Sequence, residues 1–187
     1  MMDASSFFEE ESSRLAGQGY GSRAFVLRGK RAYVFGFLCA LPLIAALSAW
    51  YFSLSPRFLW AERWQDFLLF AALAVSAVPL HECMHALVWG LCCGFSRVRV
   101  RLSPPACSCL AQMGRVRYFL GAAAPFLILG LGFSAAALVT GGWAFYAAAA
   151  LHILCAGADV LVCCFLPAAR GILLDHPTEC GFVCYFR

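Results

Sequence analysis

One stretch constrains this chain more than any other: an apolar run that carries three ionisable residues within five positions. The run extends from Phe67 to Cys93, which is long enough to cross a bilayer. Inside it lie His81, Glu82 and His85, in the pattern H-E-x-x-H. An ionisable side chain near the bilayer centre costs about 2.5–3.5 kcal/mol on insertion scales. A run that keeps three such residues therefore favours a chemical role for them over simple packing.

The H-E-x-x-H spacing predicts a metal site. Helical residues four apart lie on one face, so His81 and His85 can reach a single ion. Glu82 then lies beside a water on that ion, where it can act as general base in peptide hydrolysis. Imidazole and carboxylate ligands suit zinc. The alternative is a set of hydrogen-bonded polar residues inside a helix bundle, which needs no metal.

Composition places the run in a membrane protein. The chain is 63% hydrophobic and 13% charged, whereas soluble domains carry about 25% charged residues. Four apolar spans are predicted, at about 33–54, 67–93, 118–138 and 143–166. We therefore expect an all-α polytopic membrane protein, with a polar tail over residues 1–31 and one membrane-embedded domain over residues 32–187. The net charge of +4 is not gathered into a long basic stripe, so we expect no nucleic-acid partner.

The loop between the second and third spans predicts a small β-hairpin. Residues Arg97 to Leu102 alternate strictly between basic and apolar, which is typical of a strand. A prolyl break follows, and a second extended piece is expected within residues 106–113. The basic hairpin could contact anionic lipid headgroups, or it could add an extended substrate segment to its edge by backbone pairing.

The fourth span supplies a candidate third ligand. Asp159 lies 16 residues past Trp143, and His81 and His85 lie 14 and 18 residues past Phe67. If the second and fourth spans run in the same direction, Asp159 falls at the depth of the two histidines. Two histidines and a carboxylate leave a fourth position for water, as in catalytic zinc sites. His152, two turns earlier, is expected to pack or to orient a ligand.

Basic residues predict the orientation. Five precede the first span and five lie in the second loop, against two in the first loop and none in the third. The positive-inside rule then places both termini and the hairpin in the cytoplasm.

Two other features leave alternatives open. The eleven cysteines fit reduced thiols on or near apolar spans, although Cys107 with Cys109, and Cys180 with Cys184, could bind a metal or form a disulfide. The phrase around Asp175 and His176 could cap the site from the cytoplasm or form an ordinary turn.

These motifs resemble a bacterial family called putative zincin peptidases and, more distantly, the intramembrane site-2 proteases. The resemblance rests on His81 to His85, on Gly157-Ala158-Asp159 and on the tail from Leu174 to Gly181, and it covers about residues 33–186. It implies zinc bound by His81, His85 and Asp159, Glu82 as general base, and a location in the bacterial cytoplasmic membrane. Site-2 proteases usually have glycine after the aspartate, where this chain has Val160.

The predicted function is an intramembrane zinc metallopeptidase whose substrates are membrane-associated peptides or proteins. The enzyme itself is expected to contact membrane lipid. Two other functions fit the same residues. One is an inactive relative that serves as a membrane scaffold. The other is a non-catalytic metal-binding or transport protein, because intramembrane histidine and aspartate also mark ion pathways.

Overall fold

A computed structural model describes residues 3–54, 64–103 and 105–187, apart from the side chain of Leu102. Most of these residues are helical. The helices are α1 (Ala4–Gly17), α2 (Lys30–Leu54), α3 (Trp64–Cys93), α4 (Arg115–Pro125), α5 (Leu131–Thr140), α6 (Trp143–Cys155) and α7 (Gly157–Cys163). A π-helical turn, Phe126–Gly130, joins α4 to α5, and short 3-10 turns cover Phe95–Arg97 and Leu166–Ala168.

Three helical stretches are long and apolar enough to cross a membrane: Lys30–Leu54, Trp64–Cys93 and Arg115–Thr140. They contain the first three predicted spans. The fourth predicted span is divided into α6 and the segment Gly157–Ala168, which are bent by 50° relative to each other. The bent pair makes a fourth crossing only if both parts traverse the membrane together, so four crossings remain a proposal.

The predicted hairpin is present. Strand β2 (Val98–Leu102) pairs antiparallel with β3 (Pro105–Cys109), in a register that places Val100 opposite Cys107. β3 packs against the metal-motif helix α3. The hairpin therefore lies beside the site that the sequence predicts.

A second sheet was not predicted, so the all-α description is incomplete. Strand β1 (Gly21–Leu27) and strand β4 (Ile172–Asp175) both pair antiparallel with β5 (Cys180–Phe186), which lies between them. Helix α1 packs on this sheet through Leu15, which contacts a cluster that includes Leu174 and Val183. The sequence signal was weak because β1 finds its partner about 160 residues away, and because β5 reads as a short apolar run with no alternation.

The proposed division between a tail and a membrane domain remains a prediction, but residues 4–17 and 21–27 form α1 and β1. The first loop, with its two arginines and the tryptophan at position 60, falls largely in residues 55–63, outside the described part of the chain. The predicted orientation therefore rests on the charge distribution of the sequence alone.

Small residues bring α2 and α7 close together. A Cβ atom added at Gly36 would approach the backbone nitrogen of Ala158 to 2.8 Å, and one at Gly157 would overlap the carbonyl group of Gly36. Such contacts are typical of closely packed membrane helices. The crossing fixes the start of α7, and Asp159 lies two residues beyond it.

Candidate metal centre

Three side chains from two helices converge at one point. His81 and His85 lie one turn apart on α3, and Asp159 lies on α7. The Nε2 atoms of the two histidines are 3.2 Å apart, and Oδ2 of Asp159 lies 3.1 Å from Nε2 of His81 and 3.7 Å from Nε2 of His85. Both histidines are buried, with 8% and 6% of their surface exposed. The proximity expected from helix spacing and depth is therefore observed.

The tautomer of His85 is set by its other ring nitrogen. Nδ1 lies 2.8 Å from the carbonyl oxygen of Gly121 on α4, and a carbonyl oxygen only accepts. Nδ1 of His85 therefore carries the proton, and Nε2 of the neutral ring presents a lone pair to Nε2 of His81 and Oδ2 of Asp159. Lone pairs that converge in this way need a proton or a cation between them, and one metal ion can satisfy all three at once.

The triangle of ligand atoms suits a tetrahedral ion. Zinc bonds nitrogen and oxygen ligands at about 2.0–2.2 Å, so neighbouring ligands in a tetrahedron lie about 3.3–3.5 Å apart. The three observed edges, 3.1, 3.2 and 3.7 Å, lie close to this range. Among the described residues these are the histidine, cysteine, aspartate and glutamate side chains grouped closely enough to share an ion. The residues present therefore fit zinc.

Aromatic packing behind His85 holds its ring. The indole of Trp89 stacks on His85 with 5.4 Å between ring centroids, and the ring of Tyr118 lies 5.9 Å from Trp89. A Cβ atom at Gly121 would overlap the Trp89 indole, so this position requires glycine. Gly121 thus makes room for Trp89 and accepts the hydrogen bond from Nδ1–H of His85, two roles that the sequence did not reveal.

Glu82 lies beside the histidines and lines the same cavity, which has a volume of about 700 Å³. Its carboxylate faces the backbone of Cys107 at the middle of β3. The cavity is bounded by α2, α3, α7, the hairpin and the turn between β4 and β5. Volumes of about 300–1,000 Å³ are usual for ligand sites. The predicted base, the three predicted ligands and the hairpin therefore share one cavity, although the role of each remains a prediction.

The last residue of β4, Asp175, contributes a carboxylate to which the sequence assigned no role. Asp175 accepts hydrogen bonds from the Cys109 backbone N–H at 3.1 Å and from the Tyr118 hydroxyl at 3.3 Å. Burial raises the pKa of Asp175 to about 7, although these two donors oppose the rise. The sequence signal for Asp175 was the phrase from Leu174 to Gly181, which could cap the site or form an ordinary turn. The position of Asp175 in the cavity wall agrees with the first interpretation.

His152 does not join the ligand triangle. It is 1% exposed, its ring stacks on Phe133 at 5.2 Å, and neither ring nitrogen has a hydrogen-bond partner within the described residues. This environment agrees with the packing role expected from sequence.

All eleven cysteines lie within the described residues and all are free thiols. Burial raises the pKa of Cys107, Cys109 and Cys180 well above the usual value, so these thiols stay protonated at neutral pH. The disulfide alternative for Cys107 with Cys109, and for Cys180 with Cys184, is therefore not realised in this structure.

Comparison with known proteins adds one finding. The family model described as putative zincin peptidase matches residues 74–170, just over half of the chain. The matched residues include α3 from Ala74 onward, the hairpin, α4 to α7 and all three candidate ligands. No curated protein matches the chain. No solved structure matches it either.

Proposed function

We propose, because the chain belongs to the putative zincin peptidase family, that it is a membrane-embedded zinc metallopeptidase. The family description supports a metallopeptidase, and the three long apolar helices are compatible with a membrane location. The finer proposal is that the site lies within the membrane-spanning helices and cleaves membrane-associated polypeptides. The distant resemblance to site-2 proteases is part of this proposal.

One observation carries it: two histidine nitrogens and one aspartate oxygen form a tetrahedral face beside a glutamate, in an open cavity. A structural zinc site is usually closed by four protein ligands, whereas a catalytic site leaves one position for water or substrate. Three ligand atoms are grouped here among the described residues, and the cavity supplies space for a fourth ligand from solvent.

His81, His85 and Asp159 would hold the ion. When bound, zinc supplies a Lewis acid that polarises the scissile carbonyl and lowers the pKa of a bound water to about 7. Glu82 takes the proton from the attacking water and later delivers it to the leaving amine nitrogen. The carbonyl of Gly121 keeps Nε2 of His85 free for the metal by accepting a hydrogen bond from Nδ1–H. Trp89 holds the ring in that orientation.

The β3 edge is the proposed docking site for substrate. Strand backbone groups alternate in direction, and the Cys109 N–H points away from β2 toward Asp175. The backbone groups of Cys107 therefore point the same way, toward Glu82 and the cavity. An extended peptide paired along this edge would place a backbone carbonyl near the metal. Helical substrate would have to unwind locally, since the backbone groups of a helix pair internally.

In the proposed orientation four segments cross the membrane, and both termini and the hairpin lie on the cytoplasmic side. The arginines of β2 then lie at the headgroup level, where they can also contact anionic lipid. Both proposed roles of the hairpin are thereby compatible, because the lipid-facing side chains and the substrate-facing edge belong to different strands.

Glu82→Gln tests the mechanism. We expect the purified variant to bind about one zinc per chain, as the wild type does, and to cleave unfolded labelled casein at least about 1,000-fold more slowly, since general-base catalysis contributes about 10²–10⁴-fold. Zinc content is measured by atomic emission and cleavage by fluorescence in detergent. Glu179→Gln, a matched change at another carboxylate of the cavity wall, should retain activity.

Wild-type cleavage in the Glu82→Gln protein would remove Glu82 from the mechanism. A wild-type protein that holds zinc but cleaves neither casein nor single-span membrane peptides would contradict the peptidase proposal and favour the scaffold. Zinc flux in proteoliposomes, without cleavage, would instead favour transport.

A further inference from the structure

We infer that Asp175 is a positioning residue that holds the free edge of β3 at a set distance from the metal ligands. Its position lies outside the H-E-x-x-H motif and outside the residues matched by the family model. The inference deepens the proposed function and rests on it where substrate is concerned. The structural part stands on hydrogen bonds alone.

The first step is the pair of bonds that Asp175 accepts. Oδ2 binds the Cys109 backbone N–H on β3, and Oδ1 binds the hydroxyl of Tyr118 on α4. One carboxylate thus connects the hairpin to a membrane helix. Each of its two oxygens accepts from a donor on a different element, which suits a bridge between the hairpin and α4.

The second step connects α4 to the metal centre. Tyr118 and Gly121 lie three residues apart on α4, so they share one face. The carbonyl of Gly121 accepts a hydrogen bond from Nδ1–H of His85, and Trp89 packs between His85 and Tyr118. The same helical turn therefore holds a metal ligand at one point and Asp175 at another. Through this turn the position of β3 is set relative to His85.

The third step is the rigidity of Asp175 itself. It is the last residue of β4, where it pairs with Phe182 of β5. Two residues earlier, Leu173 exchanges two backbone hydrogen bonds with Met113, at 2.8 and 2.9 Å. Leu173, Leu174 and Phe182 are completely buried. Asp175 is therefore presented by a well-packed sheet, and not by a loop that could follow the hairpin.

The fourth step is the consequence for substrate. A peptide that pairs with β3 is aligned on the metal only if the strand itself is held in place. β3 is held on one side by β2, and on its free side Asp175 bonds the strand at Cys109, two residues from the backbone groups proposed to meet substrate. Loss of this bond should loosen the docking edge without removing a metal ligand or the general base.

The test measures amide hydrogen exchange in the hairpin and the kinetics of cleavage separately, in zinc-loaded full-length protein in detergent. In Asp175→Ala we expect amide hydrogen exchange in residues 105–109 to be about tenfold faster, because Cys109 loses its acceptor and the strand loses its anchor. Exchange in the α3 segment around His81 and His85, and zinc content, should not change. With labelled casein we expect KM to rise about fivefold or more, with kcat within about twofold of wild type.

Three further variants separate positioning from general stability. Asp175→Asn keeps an oxygen for the Cys109 N–H and should restore most of the protection and KM. Tyr118→Phe should raise exchange in β3 and KM less than Asp175→Ala does, since the bond between Asp175 and β3 survives. Glu179→Gln changes a carboxylate in the turn between β4 and β5, which accepts from the Gly29 N–H at 3.1 Å, and should leave exchange in β3 unchanged.

Two results would overturn the inference: unchanged exchange in residues 105–109 in Asp175→Ala, or exchange that rises equally in β3 and α3. If Asp175→Ala does not fold, the comparison is made with Tyr118→Phe, where a smaller rise in exchange confined to β3 is expected. No rise in β3, or an equal rise in α3, would then overturn the inference. If wild type cleaves nothing, the proposed function fails, while the exchange data still decide whether Asp175 anchors β3.

Discussion

The two walls of the cavity differ in how they are built. The inner wall consists of α3 and α7, whose side chains His81, His85 and Asp159 meet within 3.7 Å of one another. The outer wall consists of β3 and the terminal sheet, which is the sheet of β1, β5 and β4. Asp175 of this sheet is bonded to Cys109, 66 positions earlier. In the proposed function the inner wall supplies the metal ligands and the outer wall determines where a peptide can lie. The inner wall is positioned by spacing within helices, and the outer wall by pairing between distant segments.

Removal of an inner-wall ligand should have the largest effect. His81→Ala and Asp159→Ala should each weaken zinc binding by more than about 100-fold. The reason is that removing a residue that only hydrogen-bonds to a ligand already weakens metal binding by up to about 100-fold. Zinc content and competition with a chelating dye measure the change. His152→Phe keeps a ring against Phe133 and should bind zinc as wild type does. Full zinc in Asp159→Ala would remove Asp159 from the ligand set and weaken the site-2 protease resemblance.

A smaller effect is expected at the support of the inner wall. Gly121→Ala places a methyl group in the volume of the Trp89 indole, so Trp89 and the His85 ring must shift. We expect zinc affinity to fall about 10- to 100-fold, measured by the same dye competition. Gly132→Ala is the matched control, because a Cβ atom at Gly132 meets nothing within 4 Å. Equal affinities in the two variants would mean that Trp89 does not orient His85.

The smallest effect concerns the outer wall and pH. Burial raises the pKa of Asp175 from 3.8 to about 7, so the folded protein binds this proton more tightly than the unfolded chain. The contribution of Asp175 to the free energy of unfolding should therefore decrease as pH rises from about 4 to about 7. Thermal unfolding of wild type and Asp175→Asn at pH 5 and pH 7.5 isolates this contribution. From pH 5 to pH 7.5 the unfolding midpoint should fall more in wild type than in Asp175→Asn, and equal shifts in the two proteins would contradict this explanation.

Several features could be predicted from sequence because they depend on spacing within one element. The two histidines of α3 face one point because they are four residues apart, and the hairpin follows from strict alternation over Arg97 to Leu102. Asp159 needed one more assumption, that α3 and α7 lie side by side at equal depth. In the structure α6, the first part of the fourth predicted span, packs on α3, and α2 holds the start of α7 through the close contact of Gly36 with Gly157 and Ala158.

Other features could not be predicted because each depends on a contact between distant segments. The π-helical turn and the 50° bend after α6 divide spans that read as continuous apolar runs. The terminal sheet joins residues 21–27 to residues 180–186, and neither strand shows the alternation that marks a half-buried strand. The roles of Gly121 and Tyr118 appear only when α4 packs against α3.

The sequence alone therefore determined an apolar, helical chain with a metal-binding motif in its second span, since hydropathy and helical periodicity are local properties. The tertiary structure alone decided the tautomer of His85, the placement of β3 along the cavity and the bridge made by Asp175. Those features depend on the backbone carbonyl of Gly121 and the backbone N–H of Cys109, groups that nearly all residue types carry. A backbone acceptor or donor leaves no trace in the sequence, so its partner becomes visible only when the chain has folded.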